Sequence, residues 1–110
     1  MRYVLRRRFK DGSIKQLELP SLNIGDELWI HNYSVGMILE VVSRQYSNNP
    51  DVCFVQKIVC ERNVLSVKDI YTSSAVDSVL RTEPHNLSVD QMLTHSHVQL
   101  RQYAAQQFPQ

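Results

Sequence analysis

Polar and apolar residues alternate over residues 3–19, on either side of Asp11-Gly12, and this pattern is typical of a β-hairpin. A two-residue loop would mix Leu17 with the arginines, whereas a three-residue loop starting at Lys10 separates them. We therefore predict the three-residue loop, with Gly12 in the left-handed region. One face then carries Tyr3, Leu5, Phe9, Leu17 and Leu19, and the other carries Val4, Arg6, Arg8, Ile14, Gln16 and Glu18.

Three further strands follow in the same half of the chain. Residues 27–33 alternate, residues 35–46 are apolar on both faces, and residues 52–61 return after a turn at Asn49-Pro50. A strand that is apolar on both faces is typical of a central position with cover on each side. We predict a strongly curled, five-stranded antiparallel sheet. One face of its long strand carries Val35, Met37, Leu39 and Val41, and the other carries Ile38 and Val42.

The second half of the chain predicts helices. Ser66 and Asp69 fit a capping box that opens a helix near residue 67, as do Ser88 and Gln91 for a later one. The first segment, up to residue 82, has mixed periodicity, so a break near Ser73-Ser74 and a sixth strand at 64–71 both stay open. The later helix is better defined, because one stripe holds Val89, Met92, Leu93, Ser96, Leu100, Tyr103 and Ala104.

Together these elements predict a single α+β domain over residues 1–110. Residues 1–62 form the sheet, and residues 63–110 form a mainly helical part whose last helix packs on an open face or end of the sheet. The turn at Ile24-Gly25-Asp26, followed by a strand, a turn and a long strand, resembles the small SH3-like barrels. That resemblance implies a sheet curled towards a barrel.

Composition narrows the class of protein. The chain has 110 residues, of which 43% are hydrophobic and 21% charged, as in ordinary globular domains. We expect no membrane association and no secretory signal, since no long apolar run is present. Cys53 and Cys60 should be buried thiols on opposite faces of one strand, which favours a cytoplasmic location. The three glycines are isolated, so no phosphate-binding loop and no cofactor are expected.

Charge is distributed unevenly along the chain. The first fifteen residues carry a net charge of +5 and the remainder −4. Clustered cations can hold phosphates, and such binding weakens with salt. The same cluster can also be a solvated face that protects a sheet edge, or a contact with a second subunit. The candidate anion or nucleic-acid site is Arg6, Arg7, Arg8, Lys10 and Lys15.

An aromatic stripe gives a second candidate site. Trp29, His31 and Tyr33 occupy alternate positions of one predicted strand and should share a face. Such a face could line a ligand pocket between the sheet and the helix, or provide a platform on which a flat ligand stacks. The alternative is that Trp29 and Tyr33 are core anchors.

Catalysis and metal binding find weaker support. Glu40 lies among apolar residues, where desolvation would raise a carboxyl pKa, so Glu40 and His31 are a candidate acid–base pair. The alternative places Glu40 at an edge or beside Arg44. His95 and His97 are two residues apart on a predicted helix and point in different directions, so no metal site is expected.

The leading hypothesis is a non-catalytic, self-associating cytoplasmic binding module with a surface for a small ligand or a protein partner. Self-association is expected because the long strand needs cover on both faces. The first alternative is weak nucleic-acid binding through the basic hairpin. The second alternative is an enzyme that uses the Glu40 and His31 pair.

Overall fold

The computed structural model describes residues 1–46, 48–72, 80–84 and 87–109, which form a mixed α+β fold around a strongly curled, open sheet. The predicted α+β class is confirmed. In chain order the elements are β1 (Arg2–Arg8), β2 (Ile14–Glu18), β3 (Asp26–Ile30), β4 (Tyr33–Tyr46), β5 (Asn49–Cys60), β6 (Val64–Ser66), α1 (Val67–Thr72), β7 (Leu80–Pro84), α2 (Val89–Leu93) and α3 (Val98–Gln107).

The predicted loop and register of the first hairpin are confirmed. Leu5 pairs with Leu17, and the Phe9 amide donates to the Ser13 carbonyl at 2.8 Å. Gly12 has φ of +87°, which a residue without Cβ adopts at little cost. The separation of arginines from leucines therefore identified the register correctly.

The strands lie in the order β2-β1-β5-β4-β3-β7, and β6 also pairs with β5. The five-stranded, wholly antiparallel description is imprecise, because β1 and β5 run parallel with Tyr3 beside Cys53. The strand β1 lies between β2 and β5, and Val4 and Leu5 are buried on its opposite faces, whereas the exposed β2 takes an edge among the described strands.

The predicted strand over residues 27–33 is wrong at its end. The strand β3 stops at Ile30, which pairs with Tyr33 across a two-residue loop. His31 occupies the first loop position with φ of +54°, a conformation that marks a tight hairpin. The two halves of the predicted stripe therefore belong to two different strands.

Bulges in β4 and β5 overturn the predicted faces of the long strands. Leu28 pairs with Gly36 and Trp29 pairs with Ser34, so Val35 is an extra residue. Gly36 has φ of +93°, as a bulge of this kind requires. Further register shifts lie between Ile38 and Glu40 in β4, between Val55 and Lys57 in β5, and at the turn beyond Gln45. Each extra residue reverses the alternation that follows it.

Two core clusters result, one on each side of β4. The cluster on the inner, concave face includes Val35, Ile38 and Ile58, and the hairpin packs against it. The cluster on the outer face joins Met37 and Leu39 of β4 to Leu100 of α3. The central, doubly covered position of β4 is thus confirmed for residues 35–39, but the predicted division of its side chains is wrong. Cys53 and Cys60 both face inward, not oppositely as predicted, because the β5 bulge lies between them.

The segment after β5 begins as a short strand and continues as a helix, so the sixth strand considered over residues 64–71 covers only its first three residues. Residues 64–66 form β6, and the predicted capping box then opens α1, with the Asp69 amide 3.3 Å from the Ser66 hydroxyl. In α1 the Tyr71 hydroxyl donates to the Leu5 carbonyl at 2.7 Å, which ties the helix to the sheet. The predicted break at residues 73–74 lies outside the described residues. The helix expected up to residue 82 is wrong at its end, because residues 80–84 form β7 beside β3.

The last helix is divided into two. The capping box at Ser88 and Gln91 is confirmed as the start of α2. The helix ends at Leu93, because the Thr94 hydroxyl bonds back to a carbonyl of its own turn and His97 caps a new helix. The predicted stripe of seven residues therefore spans two helices, and Leu100 and Ala104 of α3 are its buried members.

Candidate functional site

The outer face of the sheet is covered at one end and open at the other. At the covered end α3 packs on Met37 and Leu39. Glu40 lies there too, and its carboxylate accepts a hydrogen bond of 3.1 Å from the Gln99 amide of α3. Residues 40, 42 and 44 follow one another on this face of β4, so Arg44 belongs to its open end.

Three neighbouring strands build the open end. Arg44 of β4 pairs with Phe54 of β5, and Phe54 pairs with Val4 of β1. Paired residues share a face, so the alternate residues of β1, Arg2 and Arg6, lie on the same surface. We name this surface the arginine–aromatic face and define it by Arg2, Arg6, Arg44, Tyr46 and Phe54.

Aromatic rings and guanidinium groups contact each other on this face. The rings of Tyr46 and Phe54 meet edge to face, with centroids 4.6 Å apart. The Arg6 guanidinium lies 5.8 Å from the centre of the Phe54 ring, and that of Arg44 lies 5.5 Å from the centre of the Tyr46 ring. Each cation is thus held over a ring, and the pair of rings is flanked by positive charge on both sides.

Two depressions flank Arg6. One, of about 380 Å³, extends towards α1 and adds Gln56 and Ser66 to the walls. The other, of about 270 Å³, extends towards β2 and adds Gln16 and Asn49. Arg6, Tyr46 and Phe54 line both, so the depressions form one track across the strands. Its walls contain amide and hydroxyl groups that can donate and accept hydrogen bonds.

The floor of the track is apolar. Val4 and Val52 point outward yet are only 2% and 7% exposed. The aliphatic parts of long side chains can cover such residues while their charged ends stay in water. Arg2 pairs with Glu18 of β2, at 3.9 Å between nitrogen and oxygen, which is a weak contact between exposed groups.

The structure divides the predicted basic cluster. Arg6 and Arg8 alternate onto the outer face of β1. Arg7 and Lys15 pair on the inner face, where their cationic groups lie 5.0 and 5.3 Å from the centre of the Phe9 ring. Lys10 is exposed in the hairpin loop. The predicted common face of Arg6 and Arg8 is confirmed, and anion binding by any of the five residues stays a prediction.

The predicted aromatic stripe is not a shared face. Trp29 pairs with Ser34 and lies under the Arg81 guanidinium, at 5.0 Å from its ring, on the side opposite Tyr33. Tyr33 is 71% exposed. With His31 it borders a separate depression of about 400 Å³ whose apolar walls include Ile30, Val35 and Leu65. A ligand site made of all three predicted residues is therefore not assembled.

The predicted acid–base pair is also separated. Glu40 contacts Gln99 at the covered end of the outer face. His31 borders the depression that Val35 and Leu65 share with the inner core. Because the two side chains lie on opposite sides of β4, they cannot act on one substrate atom.

The two C-terminal histidines and Cys60 lie outside the arginine–aromatic face. His95 and His97 lie in the α2–α3 connection and at its cap, not on one helix as predicted. The Nε2 atom of His95 is 3.3 Å from the Glu61 carboxylate, whose other oxygen accepts from the Met37 amide at 2.8 Å. Burial raises the pKa of Cys60 to about 12, and the nearby Glu61 charge adds to it. The structurally described part of the chain holds no cluster of three metal-ligating side chains.

Sequence reasoning missed Arg44, Tyr46 and Phe54 as residues of one site, and considered Arg44 only as a neighbour of Glu40. The alternation of Arg44 and Tyr46 is a signal that could have placed both on one face. Their position beside Arg6 could not have been found, since it depends on the parallel pairing of β1 with β5.

No family model, curated protein or solved structure matches this chain. Among the described residues, no helix is long and apolar enough to cross a membrane.

Proposed function

We propose that this protein is a non-catalytic binding module that holds an anionic partner on the arginine–aromatic face. The observation that carries the proposal is the track around Arg6, which a second arginine of β1, Arg2, and two aromatic rings also line. Arg44 of β4 lies next to the track, over the Tyr46 ring. Guanidinium groups donate hydrogen bonds in a fixed geometry that suits phosphate and carboxylate groups. The absence of an assembled acid–base pair at the predicted positions also favours binding over catalysis.

Binding to inorganic polyphosphate tests this function, because polyphosphate offers charge alone. We expect saturable binding at about 50 mM salt that weakens steeply towards about 200 mM. Arg6→Gln should weaken it. Arg7→Gln is the matched control, because it removes the same charge from the adjacent residue on the opposite face and should bind as the unaltered protein does. Equal effects of the two substitutions, or no binding at about 50 mM salt, would overturn the proposal.

A second candidate function is contact with an apolar partner at the depression beside Tyr33. Support comes from the apolar walls and from the exposed ring of Tyr33 at its rim. The uncharged dye Nile red should gain fluorescence with the unaltered protein and lose that gain with Tyr33→Ala. Tyr46→Ala is the control, since it changes an exposed tyrosine elsewhere. Equal dye response in both variants would exclude this site.

Self-association and a cytoplasmic location remain part of the proposal. The two free, buried thiols support a reducing compartment. The long strand needs a second copy less than its sequence suggested, because α3 of the same chain covers the outer face of β4. Sedimentation of the full chain at several concentrations tests it, and a constant monomer mass would remove it.

A further inference from the structure

We propose that the anionic partner is a single-stranded nucleic acid whose bases stack on Tyr46 and Phe54. This inference rests on the proposed function and assigns its partner. The aromatic pair supports it, because an anion recognised by charge alone would need the arginines but not the exposed rings beside them. Unpaired bases offer both a phosphate for the arginines and a flat ring for the aromatic residues.

Both rings are partly exposed to solvent. Tyr46 is 43% exposed, and Phe54 is half-buried with an edge-to-face contact to Tyr46. In this arrangement one ring holds the other in place. The guanidinium groups of Arg6 and Arg44 lie over these rings, so a base stacks on the ring surface that they leave open or displaces them towards its phosphate.

The shape of the site favours an unpaired strand over a duplex. The track crosses a sheet, and the helices α2 and α3 pack at the other end of the outer face or away from it. A duplex buries its base faces by stacking and is read in its grooves by protruding helices or ribbons. The amide groups of Gln16 and Asn49 in one wall, and of Gln56 in the other, match the edges of unpaired bases.

The decisive comparison uses two fluorescein-labelled oligonucleotides of about 12 residues, one of thymidine and one of abasic deoxyribose phosphates. Both carry the same charge, so only base stacking separates them. We expect the thymidine oligonucleotide to bind more tightly by about 5- to 150-fold, the range that one stacked base contributes. The same measurement on single-stranded RNA, on a DNA duplex and on polyglutamate completes the series.

Substitutions test whether the preference for thymidine over abasic DNA comes from Tyr46. Tyr46→Ala should remove most of the advantage of thymidine over abasic DNA, and Tyr46→Phe should keep it. Tyr33→Ala is the control, because Tyr33 is exposed on the opposite side of the sheet. Tyr46 is a surface residue, so the folded protein should persist; an unchanged unfolding midpoint establishes this.

The possible outcomes distinguish a failure of base stacking from a failure of anion binding. Binding of abasic and thymidine oligonucleotides with equal affinity overturns base stacking but leaves anion binding intact. Tighter binding of the duplex, or of polyglutamate, assigns the face to a different partner and overturns the inference. Binding to none of the probes, polyphosphate included, overturns the proposed function as well.

Discussion

The two ends of the outer face of β4 and β5 differ in what covers them. At one end Met37 and Leu39 lie beneath Leu100 of α3. At the other end one depression is lined by Val52 together with Arg2, Arg6 and Phe54, and by no residue of a described helix. The same sheet therefore uses one end for stability and leaves the other available for a partner.

This difference shows why exposed charge and buried apolar area have to be considered together. Burial against a helix stabilises the fold through apolar contacts that water cannot replace. Arginine side chains over an apolar floor contribute less, since their charged ends remain hydrated. Substitutions at the covered end should therefore change the free energy of unfolding, and those at the open end should change binding.

The largest effect is expected at Leu100, the fully buried residue through which α3 covers β4. Leu100→Ala should lower the free energy of unfolding by about 2–5 kcal/mol, because it leaves a cavity between helix and sheet. Urea denaturation measures it. Val98→Ala, on the exposed side of the same helix, is the control and should change it by less than about 0.5 kcal/mol. Equal changes would mean that α3 does not stabilise this end.

A smaller loss of stability is expected at Gly36, which lies in the bulge that turns Met37 towards α3. Gly36→Ala should cost about 1–3 kcal/mol, because φ of +93° strains other residues. The added Cβ would also lie 3.0 Å from the Cβ of Glu61. Gly12→Ala is the control, with φ of +87° and nothing within 4 Å of the new Cβ, so it should cost less. The reverse order would contradict a tight contact at the bulge.

The cap of α2 should contribute less to the free energy of unfolding than Leu100 or Gly36 does. Ser88 accepts from the Gln91 amide, and the Gln91 side chain accepts from the Ser88 amide. Ser88→Ala should lower the free energy of unfolding by about 1 kcal/mol. Ser88→Asn, another residue that caps helices well, should restore most of it in the same thermal or urea measurement. A loss that Ser88→Asn fails to restore would contradict the capping role.

At the open end Arg44→Gln should change the free energy of unfolding by less than about 0.5 kcal/mol, because both Arg44 and Tyr46 are exposed. The same variant should bind polyphosphate more weakly than the unaltered protein does. A large loss of stability would indicate that the arginine–aromatic face is part of the folded core.

The raised pKa of Cys60 should not change the free energy of unfolding at neutral pH. Its pKa is about 12 in the folded chain against an ordinary 9.0. Below pH 9 the thiol is protonated in both states. Above it the unfolded chain releases the proton first, so the free energy of unfolding should fall as the pH rises from 9 towards 12. Cys60→Ala should reduce this slope in urea titrations, and native Cys60 should resist iodoacetamide at pH 8.5. Rapid alkylation of the folded protein at Cys60 would contradict a raised pKa.

The local features of this protein could be predicted from its sequence. The hairpin register, the two capping boxes and the buried part of β4 depend on residues that are close along the chain. In these cases the preferences of neighbouring side chains and the tertiary structure agree. The predicted strand through His31 and the single C-terminal helix failed because a tight turn and a polar connection interrupt regular periodicity.

Which side chains meet could not be predicted from the sequence. One extra residue at Val35 and others further along β4 and β5 reverse the alternation, so counting positions along the sequence assigned several residues to the wrong face. The arginine–aromatic face exists because β1 lies parallel to β5, which places Arg6 over Phe54. Such pairing brings together segments far apart in sequence, and the free energy that selects it comes from packing of the whole sheet, which no local pattern contains.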